Sequence, residues 1–144
     1  EIAHSWWGRG LAPMADQHGW IDEGMAFWAT GSTPFSPTEV PGGVRGARLL
    51  AGEDDWAGAG LGLGDYLQGS LVFAGLAHQV GVGALLEELR DYAADHAPGP
   101  ISTDGLERRL YCAFPQAYVL DVFHSKVRGL EGFADPAPEG FCAR

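Results

Sequence analysis

Three side chains near the start of the chain have the types and spacing that could bind zinc and activate a water molecule. Glu1 and His4 stand three residues apart in EIAH, so a helix would place both side chains on one face. This spacing is the second half of H-E-x-x-H, in which two histidines hold zinc and the glutamate between them acts as a general base. Catalytic zinc usually has a third protein ligand as well. The next strong carboxylate candidate is Glu23, which eighteen residues separate from His4.

The residues around these three positions resemble one known family. Gluzincin metallopeptidases of the membrane-alanyl-aminopeptidase type, which include the leukotriene epoxide hydrolase, have H-E-x-x-H, eighteen residues, then a glutamate in W-L-N-E-G-F-A. This chain has E-I-A-H-S-W-W-G, eighteen residues, then W-I-D-E-G-M-A. The resemblance implies one catalytic Zn²⁺ held by His4 and Glu23, with Glu1 as the general base. It also implies zinc-dependent hydrolysis of a peptide substrate, most similar to that of an aminopeptidase.

A second match to this family lies further along the chain. The family has Y-x-K-G at the start of a helix, and its tyrosine stabilises the oxyanion of the tetrahedral intermediate. This chain has Tyr66-Leu67-Gln68-Gly69 at the equivalent place, with Gln68 where the family has lysine. The resemblance implies that Tyr66 is the oxyanion donor. A further departure is Asp22, which replaces the asparagine beside the third ligand and could orient His4.

Part of the family pattern is absent from these 144 residues. The first zinc-binding histidine would stand immediately before Glu1, and neither the N-terminal β domain nor its G-x-M-E-N segment is present. The resemblance covers about 1–30 and 65–127. We therefore expect the chain to be a fragment of a longer enzyme, one that alone binds zinc weakly and hydrolyses no peptide at a useful rate.

Each candidate residue also has a reading without catalysis. Taken alone, His4 is typical of a core or surface histidine, Glu1 of a solvated terminal acid, and Tyr66 of a residue that packs a helix start. His18, between the two ligands, is more typical of a solvated loop residue than of a zinc ligand. The alternative functions are a non-catalytic helical binding module or degenerate homologue, and epoxide hydrolysis on the same zinc site.

Composition narrows the range of partners. The formal net charge of −10 argues against nucleic acid or an anionic membrane as the main partner. No apolar run approaches the roughly 18 residues that a membrane span needs. Cys112 and Cys142 could pair or stay free, and two cysteines decide neither the compartment nor the redox state.

Hydrophobic periodicity predicts a mainly α fold. Apolar residues recur at helical spacing, and glycines and prolines mark the ends of these stretches. The expected helices cover 2–8, 20–30, 66–80, 83–97, 104–113 (capped by Ser102 or Thr103) and 116–128. A polar connector is expected over 9–19, and a loop or a short strand edge over 31–46. The resemblance implies that residues 1–130 are the helical C-terminal part of a thermolysin-like (gluzincin) catalytic domain, followed by a Pro/Gly-rich tail over 131–144.

Overall fold

The fold is seen in a computed structural model, which describes residues 11–13, 18–31 and 63–143. The described part is mainly helical, and the predicted fold class is confirmed at that level. Glu1, His4, the predicted helix over 2–8 and all but the first residue of the predicted loop over 31–46 lie outside the described residues.

The described part contains five α-helices and one two-stranded sheet. The helices are α1 (Trp20–Ala29), α2 (Leu63–Val80), α3 (Val82–His96), α4 (Thr103–Ala113) and α5 (Ala117–Val122), and α5 runs directly into a π-helical turn (Phe123–Val127). The strands are β1 (Leu11–Pro13) and β2 (Gly99–Ile101), which pair in parallel.

The break between α2 and α3 is at Gly81, as the sequence predicts. Gly81 has a φ of 91°, a left-handed conformation that glycine adopts without the steric cost that a side chain would add. Its N–H still bonds the Ala77 carbonyl at 2.9 Å, which closes the last turn of α2. Within the described residues no single helix is long and apolar enough to cross a membrane; α2 and α3 reach that length and composition only together, bent by 119° at this break.

The start of α4 also follows a local signal. The Ser102 hydroxyl accepts a hydrogen bond from the Gly105 N–H at 3.1 Å, so Ser102 is the N-cap. An N-cap side chain satisfies one of the amides that has no partner within the helix. The Ala97–Pro98 peptide bond is cis, and α3 ends immediately before it.

The small parallel sheet differs from the sequence prediction. Residues 9–19 were expected to be a connector and Pro98-Gly99-Pro100 only a helix stop, yet β1 and β2 take one stretch from each. Leu11 pairs with Gly99 and Pro13 pairs with Ile101. Strands of three residues are too short for an alternating pattern to stand out. Prolines are tolerated in them because, within the part of the chain that the structure describes, each strand pairs on one side only.

The core is built from one apolar face of each helix. In α3, Leu85, Leu89 and Tyr92 are buried, while Glu87 and Arg90 are exposed, as the helical stripe predicts. The largest fully buried side chains include Trp20, Ile21 and Met25 of α1, Phe73 and Leu76 of α2, Leu106 of α4, and Phe123.

The C-terminal segment, residues 129–143, has no regular secondary structure but is attached to α4 and α5. Cys112 of α4 and Cys142 form a disulfide, which settles their pairing. The Ala134 N–H donates to Asp121 Oδ1 at 2.9 Å, and the Arg108 guanidinium donates to the Ala143 carbonyl. The predicted Pro/Gly-rich tail therefore packs on the helical body.

Candidate functional site

Glu23 lies in the first turn of α1, and the local sequence explains why a helix starts there. Asp22 and Glu23 place negative charge beside the positive end of the helix dipole. Trp20, Ile21 and Met25 are fully buried and fix the helix against the core. The Glu23 side chain is half-buried, and its Oε2 atom is shielded from solvent. Its carboxylate is therefore held on a rigid element rather than on a loop.

The helices α1 and α2 touch through their backbones at Gly24 and Gly69. A Cβ atom added to Gly24 would stand 2.5 Å from the Gly69 Cα, and one added to Gly69 would stand 2.7 Å from the Gly24 Cα. The Gly69 position is also 2.9 Å from the Trp20 carbonyl oxygen on the same measure. No side chain fits at such distances, so the contact needs glycine on both helices.

This contact brings the two sequence motifs together. Gly24 directly follows Glu23, and Gly69 lies one helical turn after Tyr66 in α2. The proposed metal ligand and the proposed oxyanion donor are thus on neighbouring helices, each within one turn of the same crossing point. The sequence predicts each motif separately, whereas their meeting is visible only in the fold.

Replacing Gly69 with alanine tests this contact. We expect the free energy of unfolding to fall by about 1–3 kcal/mol, because the added methyl group meets backbone atoms that cannot move aside. Urea denaturation measures the change. Gly83→Ala is the matched control, since Gly83 lies in α3 with nothing within 4 Å of an added Cβ, and there we expect equal or greater stability. Equal stability of both variants would show that the two backbones are not in contact.

A buried polar cluster holds the beginning of α1 against α4. Trp20 Nε1 donates to Thr103 Oγ1 at 3.0 Å, and His18 Nδ1 lies 3.0 Å from the same oxygen. The Thr103 N–H donates to His18 Nδ1 at 3.3 Å. This bond makes Nδ1 an acceptor, so we assign the ring proton of His18 to Nε2. The Thr103 hydroxyl then donates its hydrogen bond to Nδ1. His18 is therefore half-buried and hydrogen-bonded, and it is not the solvated loop residue that its position in the sequence suggests.

Of the two predicted metal ligands, His4 and Glu23, only Glu23 lies among the described residues. Among residues 11–13, 18–31 and 63–143, no group of three or more His, Cys, Asp and Glu side chains could hold a metal ion. Elsewhere in that part, His96 Nδ1 lies 2.8 Å from the Tyr92 carbonyl and His124 Nε2 lies 3.1 Å from the Glu131 carbonyl. These two histidines form backbone contacts, as expected for structural residues.

An open cavity of about 800 Å³ lies between α3, α4 and the C-terminal segment. Its wall includes Arg109, whose guanidinium binds both Glu88 and Asp95. It also includes Tyr92, and burial raises the pKa of this phenol above its ordinary value. The charges of Arg109, Glu88 and Asp95 are thus paired within the wall. Glu23, the predicted site residue whose side chain the structure describes, does not line this cavity.

Comparison with known proteins gives no identification. No family model, no curated protein and no solved structure matches this chain. Function is therefore inferred from short motifs and from the contacts that join them.

Proposed function

We propose that this chain carries part of a zinc metallopeptidase of the gluzincin type, with a thermolysin-like arrangement of helices and aminopeptidase-like activity. The observation that carries the proposal is the backbone contact between Gly24 and Gly69. It places the motif of Glu23 against the motif of Tyr66, although more than forty residues separate them in the sequence. What speaks against a binding module without catalysis is the presence of Glu1, His4, Glu23 and Tyr66 together, because such a module does not require these groups.

The available donor groups fit zinc. The His4 imidazole and the Glu23 carboxylate are both ligand types that zinc accepts, and a third ligand from a histidine directly before Glu1 would give the His₂Glu set of a catalytic site. Glu23 is half-buried on an anchored helix, which suits a ligand that must keep its position. The proposal therefore requires a histidine codon directly before that of Glu1, and any other residue there removes the ligand set.

Each residue of the proposed site has a distinct role. Zinc, when bound, would lower the pKa of a coordinated water from its value in bulk water toward about 7. Glu1 accepts the proton of the attacking water and then delivers it to the leaving amine. Tyr66 donates a hydrogen bond to the oxygen on which negative charge develops, an interaction worth about 3–4 kcal/mol of barrier. His4 and Glu23 would hold the metal.

Metal content tests the ligand assignment. The protein, expressed as its gene encodes it, is dialysed against a chelator and then given zinc. We expect one zinc per chain in the parent and loss of that zinc in Glu23→Gln, because an amide is a much poorer zinc ligand than a carboxylate. Glu87→Gln is the matched control, since Glu87 is an exposed glutamate of α3 with 72% of its side chain accessible.

Two outcomes would contradict the proposal. One is a Glu23→Gln protein that holds one zinc as tightly as the parent, and the other is a parent that takes up no zinc. A panel of aminoacyl substrates, blocked peptides and epoxides then separates aminopeptidase, endopeptidase and epoxide hydrolase activity.

A further inference from the structure

The position of Glu23 depends on Gly19, which precedes the first residue of α1. The backbone N–H groups of Asp22 and Glu23 both bond the Gly19 carbonyl, each at 3.1 Å. Gly19 has no side chain to cap the helix. The start of the helix is therefore fixed by whatever holds the residues on either side of Gly19.

Those two neighbours are both bound to Thr103. His18 and Trp20 each reach Thr103 Oγ1 at 3.0 Å, from 85 and 83 residues away in the sequence. Thr103 is fully buried, so water does not compete for its hydroxyl group. A single hydroxyl thus accepts from the Trp20 indole and donates to the His18 imidazole, and a methyl group in its place could do neither.

The stretch that precedes Thr103 also holds residues 11–13, through the pairing of the two strands. Strand β1 pairs with β2, whose last residue, Ile101, lies two positions before Thr103. Residues 11–13 and 18–20 both lie in the segment that joins His4 to Glu23. They are thus attached to the stretch that runs from β2 to Thr103, the first residue of α4. This stretch therefore holds the segment between the two proposed ligands at two places.

We propose that Thr103 is a positioning residue for the Glu23 ligand and acts through His18 and Trp20. The inference rests on the zinc site proposed above, because it assigns to Thr103 a role in holding a ligand of that site. Thr103 touches neither metal nor substrate. Its hydroxyl fixes the residues that flank Gly19, and Gly19 fixes the backbone of Glu23.

The test separates this role from ordinary stabilisation of the fold. Thr103→Val keeps the shape of the side chain and removes the hydroxyl, whereas Thr103→Ser keeps the hydroxyl. Ser102→Ala is the matched control, because it removes the adjacent bond to the Gly105 N–H and leaves the three bonds at Thr103 intact. Ser102→Ala and Thr103→Val are both expected to lower the melting temperature, so stability alone does not distinguish them.

Two quantities are measured on the parent and on each variant. The first is the rate at which the zinc-loaded protein transfers zinc to a chromogenic chelator, and the second is the visible spectrum after Co²⁺ has replaced zinc. We expect Thr103→Val to release zinc at least about tenfold faster and to alter the Co²⁺ spectrum, since groups that orient a ligand typically change metal affinity by this much. Thr103→Ser and Ser102→Ala are expected to retain the parental rate and spectrum.

A second pair of variants changes His18, which is only half-buried, so that substitution there disturbs the core less than at Thr103. His18→Phe removes the acceptor, and His18→Asn places an amide oxygen near the position of Nδ1. We expect faster zinc release in the first variant and the parental rate in the second. This pair decides the question if Thr103→Val does not fold.

Each remaining outcome overturns a defined claim. A parent protein that takes up no zinc overturns the proposed function and this inference with it. A parent that holds zinc, with parental release rates in both Thr103→Val and His18→Phe, overturns this inference alone. Equal acceleration in Ser102→Ala and Thr103→Val does the same, because it assigns the effect to general loss of stability.

Discussion

In the protein expressed as its gene encodes it, replacing Glu1 with glutamine is expected to lower kcat at least about 100-fold while the protein keeps its zinc. Glutamine has nearly the same size as glutamate, but its amide cannot accept a proton at neutral pH. In the proposed site Glu1 is the base and not a ligand, so metal binding does not depend on it. The measurement is kcat on an aminoacyl substrate, with zinc content determined on the same preparation.

His4→Ala is the matched comparison for this prediction. Because His4 is a proposed ligand, its removal is expected to abolish both zinc binding and activity. A Glu1→Gln protein that cleaves peptides at the parental rate would exclude Glu1 as the base. A Glu1→Gln protein that loses its zinc would place Glu1 among the ligands instead.

The helical elements could be predicted from the sequence because their signals are local. Gly81 ends α2 at the expected residue, and one of the two predicted caps, Ser102, begins α4. The buried stripe of α3 follows from the 3.6-residue period alone. Helix α2 begins at Leu63 and not at the predicted residue 66. The one glycine among the three added residues, Gly64, disfavours a helix without excluding it.

Contacts between distant segments could not be predicted in the same way. No local pattern in Leu-Ala-Pro or Gly-Pro-Ile indicates that these short stretches pair as strands. The sequence predicts Thr103 only as a possible helix cap and His18 only as a loop residue. Their side chains nevertheless form a hydrogen bond between positions 85 residues apart. Such contacts depend on how the helices pack, and a one-dimensional pattern of hydrophobicity does not contain that information.

In the candidate site, too, local features could be predicted from the sequence and contacts between distant segments could not. The types and spacing of Glu1, His4 and Glu23 can be recognised from the sequence because the proposed chemistry needs those groups, whereas the role of Tyr66 is implied only by the resemblance to the family. The contact of Gly24 with Gly69 could not be predicted, although a glycine in each motif is what a close helix crossing requires.

The C-terminal segment is the part for which composition was least informative. Its prolines and glycines predict a tail without regular structure, and residues 129–143 do lack helices and strands. The composition does not show that Cys142 is bonded to Cys112, or that the ring of Phe141 packs edge-on against Tyr111 with centroids 5.6 Å apart. The disulfide closes a loop with a sequence separation of 30 residues, and it therefore limits the freedom of about a fifth of the chain when the protein unfolds.

Removing this disulfide in a Cys112→Ser/Cys142→Ser double variant is expected to lower the free energy of unfolding by about 3–4 kcal/mol, the loop-closure entropy of about 30 residues. Urea denaturation without reductant measures it. Arg108→Ala is the control, because it removes an exposed contact to the Ala143 carbonyl without opening the loop, and we expect less than about 1 kcal/mol there. Zinc retention is expected to stay at the parental level, since Cys112 lies roughly 13 Å along α4 from Thr103. A double variant as stable as the parent would show that the disulfide does not constrain the unfolded chain.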